Sequence, residues 1–285
     1  MDGWMDDMKL IRMIHNGEIK PGLWKDGLIV DLKTIYPSIP DIGETFFTEG
    51  WLEKLSSVND PGLALNVRLT SPIYRPSKIV CLGKNYAEHA NEGGFNAPDK
   101  PLLFCKAPSA LCGPFDPIVL PKSSGQVDWE VELAVIIGKT CRRISRTNAM
   151  DHIAGFTVMN DVSAREAQFG DAQWFRGKSF DTFAPLGPAL VTPDEIDDIN
   201  NLQLMTWVDG VLMQDGNTRD LIFDIPFLIE YISKDMALMP GDIISTGTPS
   251  GVGIFRNPPI VLKPGNVVKC RIEAIGSIIN PVMEG

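Results

Sequence analysis

Histidine is almost missing from this chain, with three in 285 residues. Chemistry that needs several imidazoles, such as most zinc sites or the two-histidine iron centres, has little to draw on. Cysteine is also sparse. Cys81, Cys105, Cys112, Cys141 and Cys270 are odd in number and form no C-x-x-C pair. That argues against a zinc ribbon or a redox motif, and for free thiols in a reducing compartment. No apolar run approaches the roughly 20 residues of a membrane-spanning helix. No basic stripe is visible, and the net charge is −10. An acidic chain is poorly suited to phosphate contacts, so no nucleic-acid partner and no membrane are expected. Repeats, heptads and low-complexity tracts are absent.

The opening residues, "MDGWMDDMKL", lack the apolar core of a signal peptide and the arginine-rich character of a transit peptide. The expectation is a cytoplasmic protein, with the mitochondrial matrix as the alternative. A second start at Met8 would make the first seven residues an extension.

What the chain does have is glycine and proline, 26 and 22, spread along its length. They favour many short elements with tight turns over a helix bundle. "KLIRMIHNGEIKPGLWKDGLIVDL" reads as three strands turning at Asn16-Gly17 and at Asp26-Gly27. "TEGWLEKLSS" reads as a helix capped by Thr48. From Ile79 onward the pattern is mostly strands. Helices fit "SRTNAMDHI" and "DIPFLIEYISKD", the latter capped by Asp224. The expected fold is therefore α+β and β-rich, with a small N-terminal β-hairpin domain, 1–70, and a catalytic domain, 71–285.

One stretch poses a physical problem. In "DWEVELAVIIGK", starting at Asp128, the side chains alternate. Trp129, Val131 and Leu133 share one face, and Asp128, Glu130 and Glu132 the other. An unbroken apolar run then follows, Ala134 to Ile137, as in a strand buried on both sides. Carboxylates on such a strand cost several kcal/mol each, of order, unless something compensates. An edge strand facing water would remove the problem. The apolar run argues instead for a central strand, whose acids need arginine partners, raised pKa values or a cation.

A second acid sits at the exit of another apolar strand, Asp161 in "AGFTVMNDVSAREAQ". Arg165 and Gln168 follow four and seven residues later, which on a helical turn puts all three on one side. Carboxylate oxygens from two strands, with neither cysteine nor histidine beside them, suit Mg²⁺ or Mn²⁺. In "GKNYAEHANEGGF", His89 and Glu92 stand three apart. On a helix the carboxylate can orient the imidazole to draw a proton from water. The following glycines allow the segment to close as a lid. His15 and His152 fall in a hairpin and a surface helix, and read as structural. Lys178 lies in the polar "RGKSFDTFAPLGP". The "STGTPSGVG" loop offers amides and hydroxyls to an oxyanion but lacks the P-loop lysine.

Taken in order, "DWEVELAVIIGK", "NDVSAR", "GKSFDTFAPLGP" and "GTPSGVG" resemble the fumarylacetoacetate hydrolase superfamily, from Ile79 to the C-terminus. The resemblance implies a mixed β-roll or barrel-like core, a homodimer and one Mg²⁺ or Mn²⁺. It implies Glu130, Glu132 and Asp161 as metal ligands, His89 and Glu92 as a lid dyad, and Arg165, Gln168, Lys178 and Thr248 at the substrate. Asp128 is expected just outside the ligand set. The implied substrate is a small 2-oxo or 2,4-dioxo acid. It would react through an enolate, by C–C hydrolysis of an acylpyruvate or by keto–enol tautomerisation of oxaloacetate. Oxaloacetate decarboxylation, hydrolysis of diketo-deoxy sugar acids and non-catalytic 2-oxo acid binding stay open. An intact His89, Glu92 and Lys178 argue against the last, since a binder needs no water-activating dyad.

Overall fold

The computed structural model describes residues 9–285 except Asp26, Asn59 and Phe95. The expected turn at Asp26 and the start at Met8 therefore fall outside the described residues. The first hairpin forms as expected: Lys9–His15 pairs with Glu18–Lys25 across Asn16-Gly17, both at positive φ. That is the backbone a two-residue hairpin turn demands.

Among the described residues the main sheet has eleven strands. Its path runs from Leu28–Asp31 through the hairpin to Ala184–Val191, then Ile153–Asn160, Val131–Ile137, Ile243–Ser245, Ile79–Gly83 and Leu102–Lys106. The path has two separate ends, so the sheet is a roll and not a closed barrel. Most neighbours are antiparallel, but Ile243–Ser245 runs parallel to Ile79–Gly83. A five-stranded sheet, Val211–Asn217, Gln203–Val208, Val267–Ile272, Gly276–Glu284 and Ile118–Leu120, packs against it. Helix Ile225–Asp235 forms where its capping signal lies, with Asp224 accepting from the Phe227 N–H.

Val131–Ile137 is a central strand, paired on both sides. Its two faces feed two cores. Trp129, Val131, Leu133, Val135 and Ile137 enter one, and Ala134 and Ile136 the other. The face that carries Glu130 and Glu132 thus becomes apolar only beyond Glu132.

The boundary expected near residue 70 is crossed by the main sheet, because Lys9 and Leu10 pair with Val191 and Leu190. It is crossed by the second core too, where Leu10, Phe46 and Trp51 pack with Ile79, Ala134 and Met159.

Two local expectations change. Thr48 does not start a helix; it ends Glu44–Thr48, and its hydroxyl donates back to the Glu44 carbonyl. Trp51–Leu55 is a separate helix, preceded by Gly50 in the left-handed region. Asp161 does not share a helical face with Arg165 and Gln168. The chain is extended through Ser163–Ala164, and the helix, Arg165–Gly170, begins only at Arg165.

Candidate active site

Glu130 and Asp161 are tied together by backbone. The Asp161 N–H donates to the Glu130 carbonyl at 2.9 Å, and the Glu130 N–H donates to Asn160 Oδ1 at 3.0 Å. Glu132 lies one step along, opposite Met159. Its Oε2 accepts from the Ser245 hydroxyl and, at 3.0 Å, from the Gly247 N–H. Ligand oxygens of Glu130, Glu132 and Asp161 lie within 4.8 Å of one another, and all three residues are buried. This oxygen-only set can hold a metal ion, and its hard, anionic donors fit a divalent cation such as Mg²⁺ or Mn²⁺.

Around the acids stand three buried cations. Arg165 donates from Nε to Asp128 Oδ1 and from Nη2 to Glu130 Oε1, both at 2.6 Å, and from Nη1 to Gln168 at 3.0 Å. Lys178 bridges Glu130 and Asp161 at 2.7 and 2.8 Å. Lys106 reaches the other oxygen of Asp161 at 2.6 Å and the Val162 carbonyl at 3.1 Å. Four buried carboxyls, counting Asp128, thus face three buried cations. Breaking any of these pairs would leave a buried charge uncompensated.

The titration tendencies follow from that geometry. Burial alone would raise Glu130, but Lys178 and Arg165 outweigh it and hold the carboxyl below the usual range. Glu132 has no direct cation. Burial, then Asp161 and Glu130, push it up. Burial also prevails over Arg165 at Asp128. The two lysines diverge although both touch Asp161. Desolvation lowers both, but Lys178 has two carboxylates and ends above its ordinary value, whereas Lys106 has one and ends below.

Over this floor lies helix Ala87–Glu92. His89 Nδ1 is 2.8 Å from Glu92 Oε1, and Glu92 Oε2 accepts from the Gly251 N–H at 2.8 Å. Asn85, at the base of the segment, is bonded on both sides to the chain at Ile222–Phe223 and to the Thr246 carbonyl. His89 lines one cleft with Glu130, Glu132, Arg165, Gln168, Lys178 and Thr248. Asp161 lies beneath that surface, fully buried, and Glu92 stands behind His89. Thr248 uses its hydroxyl proton on the Val131 carbonyl and accepts from Gln214, so its side chain braces the loop. Asp128 is taken by Arg165 and the Ile254 N–H, outside the acid triad. His15 and His152 are not in the cleft.

Lys106 escaped the sequence reading, although a lysine closing the apolar strand "LLFCK" was a signal. The aromatic side of the cleft, Phe104, Phe169, Trp174 and Phe255, also went unread.

The chain belongs to the fumarylacetoacetate hydrolase family: residues 78–283 match the model described as "Fumarylacetoacetate (FAA) hydrolase C-terminal". It is an enzyme of that family. It is 48% identical over 267 residues to "Oxaloacetate tautomerase FAHD2B, mitochondrial" of Bos taurus, covering 90% of this chain and 84% of the relative. It is 43% identical over 291 residues to "Oxaloacetate tautomerase FAHD2A, mitochondrial" of Homo sapiens, covering 97% and 92%. Among solved structures, a fumarylacetoacetate hydrolase from Exiguobacterium antarcticum superposes with a TM-score of 0.86 at 38% identity, over 98% of this chain and 100% of that one. Maleylpyruvate hydrolase from Sphingobium sp. SYK-6, in complex with manganese(II) ion and pyruvate, gives 0.77 at 33%, again over 98% and 100%.

One expectation is overturned. The relatives are named mitochondrial, against the cytoplasmic reading. That reading rested on the character of the first few residues and on free thiols, neither of which separates the cytoplasm from the mitochondrial matrix.

Proposed function

We propose that this enzyme acts on small 2-oxo acids with Mg²⁺ or Mn²⁺ held by Glu130, Glu132 and Asp161, and that it interconverts the keto and enol forms of oxaloacetate. The observation that carries this reading is the buried three-carboxylate set with Lys178 and Arg165 hydrogen-bonded into it. The bound ion would supply Lewis acidity at the 2-oxo carbonyl, favouring enolate charge beside it. Arg165 and Gln168 would bind the substrate carboxylate, and their mutual hydrogen bond fixes the pair. Lys178, held at Nζ by two carboxylates, would carry the proton exchanged at C3. Helix Ala87–Glu92 would exclude water once the acid is seated. Residues 1–70 would support 71–285 from outside the site, since among the described residues the cleft is lined from Leu82 to Phe255. The working form is proposed to be a homodimer with no nucleic-acid or membrane partner.

A second reading, hydrolysis of acylpyruvates, is favoured by the His89–Glu92 pair at the cleft. His89 would take a proton from water there, and Glu92, anchored by the Gly251 N–H, would hold the ring in place. Steady-state assays on enol-oxaloacetate, keto-oxaloacetate and acetylpyruvate, each with Mg²⁺ or Mn²⁺ and with EDTA, test both readings. Tautomerisation of the enol is expected with the ion and is expected to vanish with EDTA. Full activity after exhaustive chelation would overturn the metal reading.

A further inference from the structure

The cleft brings charged and apolar groups together. The charged floor accounts for the carboxylate and the 2-oxo oxygen of a substrate. The cleft's apolar lining is Leu82, Gly83, Phe104, Phe169, Trp174 and Phe255, with Lys84 beside Gly83. A 2-oxo acid seated on the floor has these groups available to the rest of its carbon chain.

Trp174 is the most closely fitted part of this wall. It opens the short helix Trp174–Lys178, so it stands four residues before Lys178 and on the same helical face. Its indole meets the Phe104 ring edge-on, with centroids 5.4 Å apart and planes at 67°. Lys178 Nζ lies 5.1 Å from the centroid of that same Phe104 ring. Two glycines allow the arrangement. A methyl on Gly83 would come within 2.7 Å of Cζ3 of Trp174, so the indole rests directly on the end of strand Ile79–Gly83. A methyl on Gly177 would come within 2.5 Å of the Gln168 nitrogen, so the helix bearing Trp174 and Lys178 is pressed onto the helix bearing Arg165 and Gln168. The indole is thus set in register with the groups assigned to the acid end.

We propose that Trp174 is a specificity-determining residue. Its indole receives the carbon chain of a 2-oxo acid beyond C3, and it extends the range of the site from oxaloacetate to acids with flat, unsaturated or aryl chains. This rests on the 2-oxo acid reading above. Aromatic contacts of this kind are worth enough to be read in binding, whereas a two-carbon chelating acid never reaches the wall.

The test is calorimetric titration of the Mn²⁺-loaded protein with oxalate and with phenylpyruvate. Trp174→Ala is expected to weaken phenylpyruvate roughly tenfold, which is about 1.4 kcal/mol, and to leave oxalate within about twofold. Trp174→Phe keeps a ring and is expected to lose less than Trp174→Ala. Gly83→Ala displaces the indole without removing it, and should likewise weaken phenylpyruvate and spare oxalate. If both ligands hold their affinity in these variants, or both fall together, the proposal is overturned. If the unaltered protein binds no oxalate with Mn²⁺, the 2-oxo acid reading itself fails, and this inference with it.

Discussion

Glu132 stands on a central strand, with Glu130 and Asp161 just beyond the paired ends of that strand and its neighbour, while His89 and Glu92 hang above them on a helix of six residues. The floor is held by backbone pairing and by side-chain bonds to buried cations. The lid has no side-chain cap at its start and a glycine at its end. Its grip on the loop below is mainly Glu92 to the Gly251 N–H, with a longer contact from the Ser250 hydroxyl to Glu88. Regions stabilised by few buried contacts open at low free-energy cost, whereas core strands open only with the whole fold. The same site therefore joins a strand-held carboxylate half to a lightly anchored helical half, and its proposed reactions divide along that line.

The sharpest way to separate the halves is His89→Ala. Acetylpyruvate cleavage is expected to fall by roughly 10² to 10⁴, the usual worth of a general base. Tautomerisation of enol-oxaloacetate should fall much less, and Lys178→Ala should reverse that order. If His89→Ala leaves acetylpyruvate cleavage untouched, the water-activating role of the lid is wrong. Glu132→Gln attacks the floor alone. It is expected to lower Mn²⁺ affinity and both turnovers together, by roughly 10² to 10³, as when a preorganised electrostatic group is removed. The fold should survive, and the melting temperature of the ion-free protein should hold or rise, because burial and the neighbouring acids already disfavour charge on Glu132.

Lys106→Met probes the cation behind the floor. Breaking a buried pair costs ~3–5 kcal/mol, and Lys178 still partners Asp161, so a loss of about 3 kcal/mol in urea unfolding is expected. An unchanged unfolding midpoint would show that the Lys106–Asp161 bond carries no stability. The smallest effect is on the lid. Saturating oxalate with Mn²⁺ should slow proteolysis within residues 87–97 by roughly tenfold, as expected when a ligand binds only the closed form. Equal cleavage with and without oxalate would mean that the two halves do not move independently.

The floor was far more legible in the sequence than its surroundings. Period-two alternation placed Glu130 and Glu132 on one face, and the apolar run behind them argued against an edge strand. His89 and Glu92 were readable because their contact is local, three residues apart. Lys106 and Asp161 meet across 55 residues, and no periodicity encodes such a meeting. Trp174 fits because Gly83 lacks a side chain, and the two come together only when the sheet is formed. Asp161 was given a helical neighbourhood because spacing cannot tell the first turn of a helix from the extended residues that feed it. Thr48 fits a cap in composition, yet Gly50, which tolerates the left-handed turn, separates the two short helices there.

The bond from the Asp161 N–H to the Glu130 carbonyl has a consequence for how such an enzyme changes over generations. Because the spacing of Glu130 and Asp161 is written into a main-chain bond, most side-chain replacements elsewhere leave it intact. The aromatic wall, carried on strands Ile79–Gly83 and Leu102–Lys106, two short helices and a loop, has no part in that bond. Selection can therefore rework the wall while the spacing of the buried carboxylates is inherited unaltered, so the part of the cleft that meets a ligand's chain is free to diverge between descendants that keep the same acid cluster.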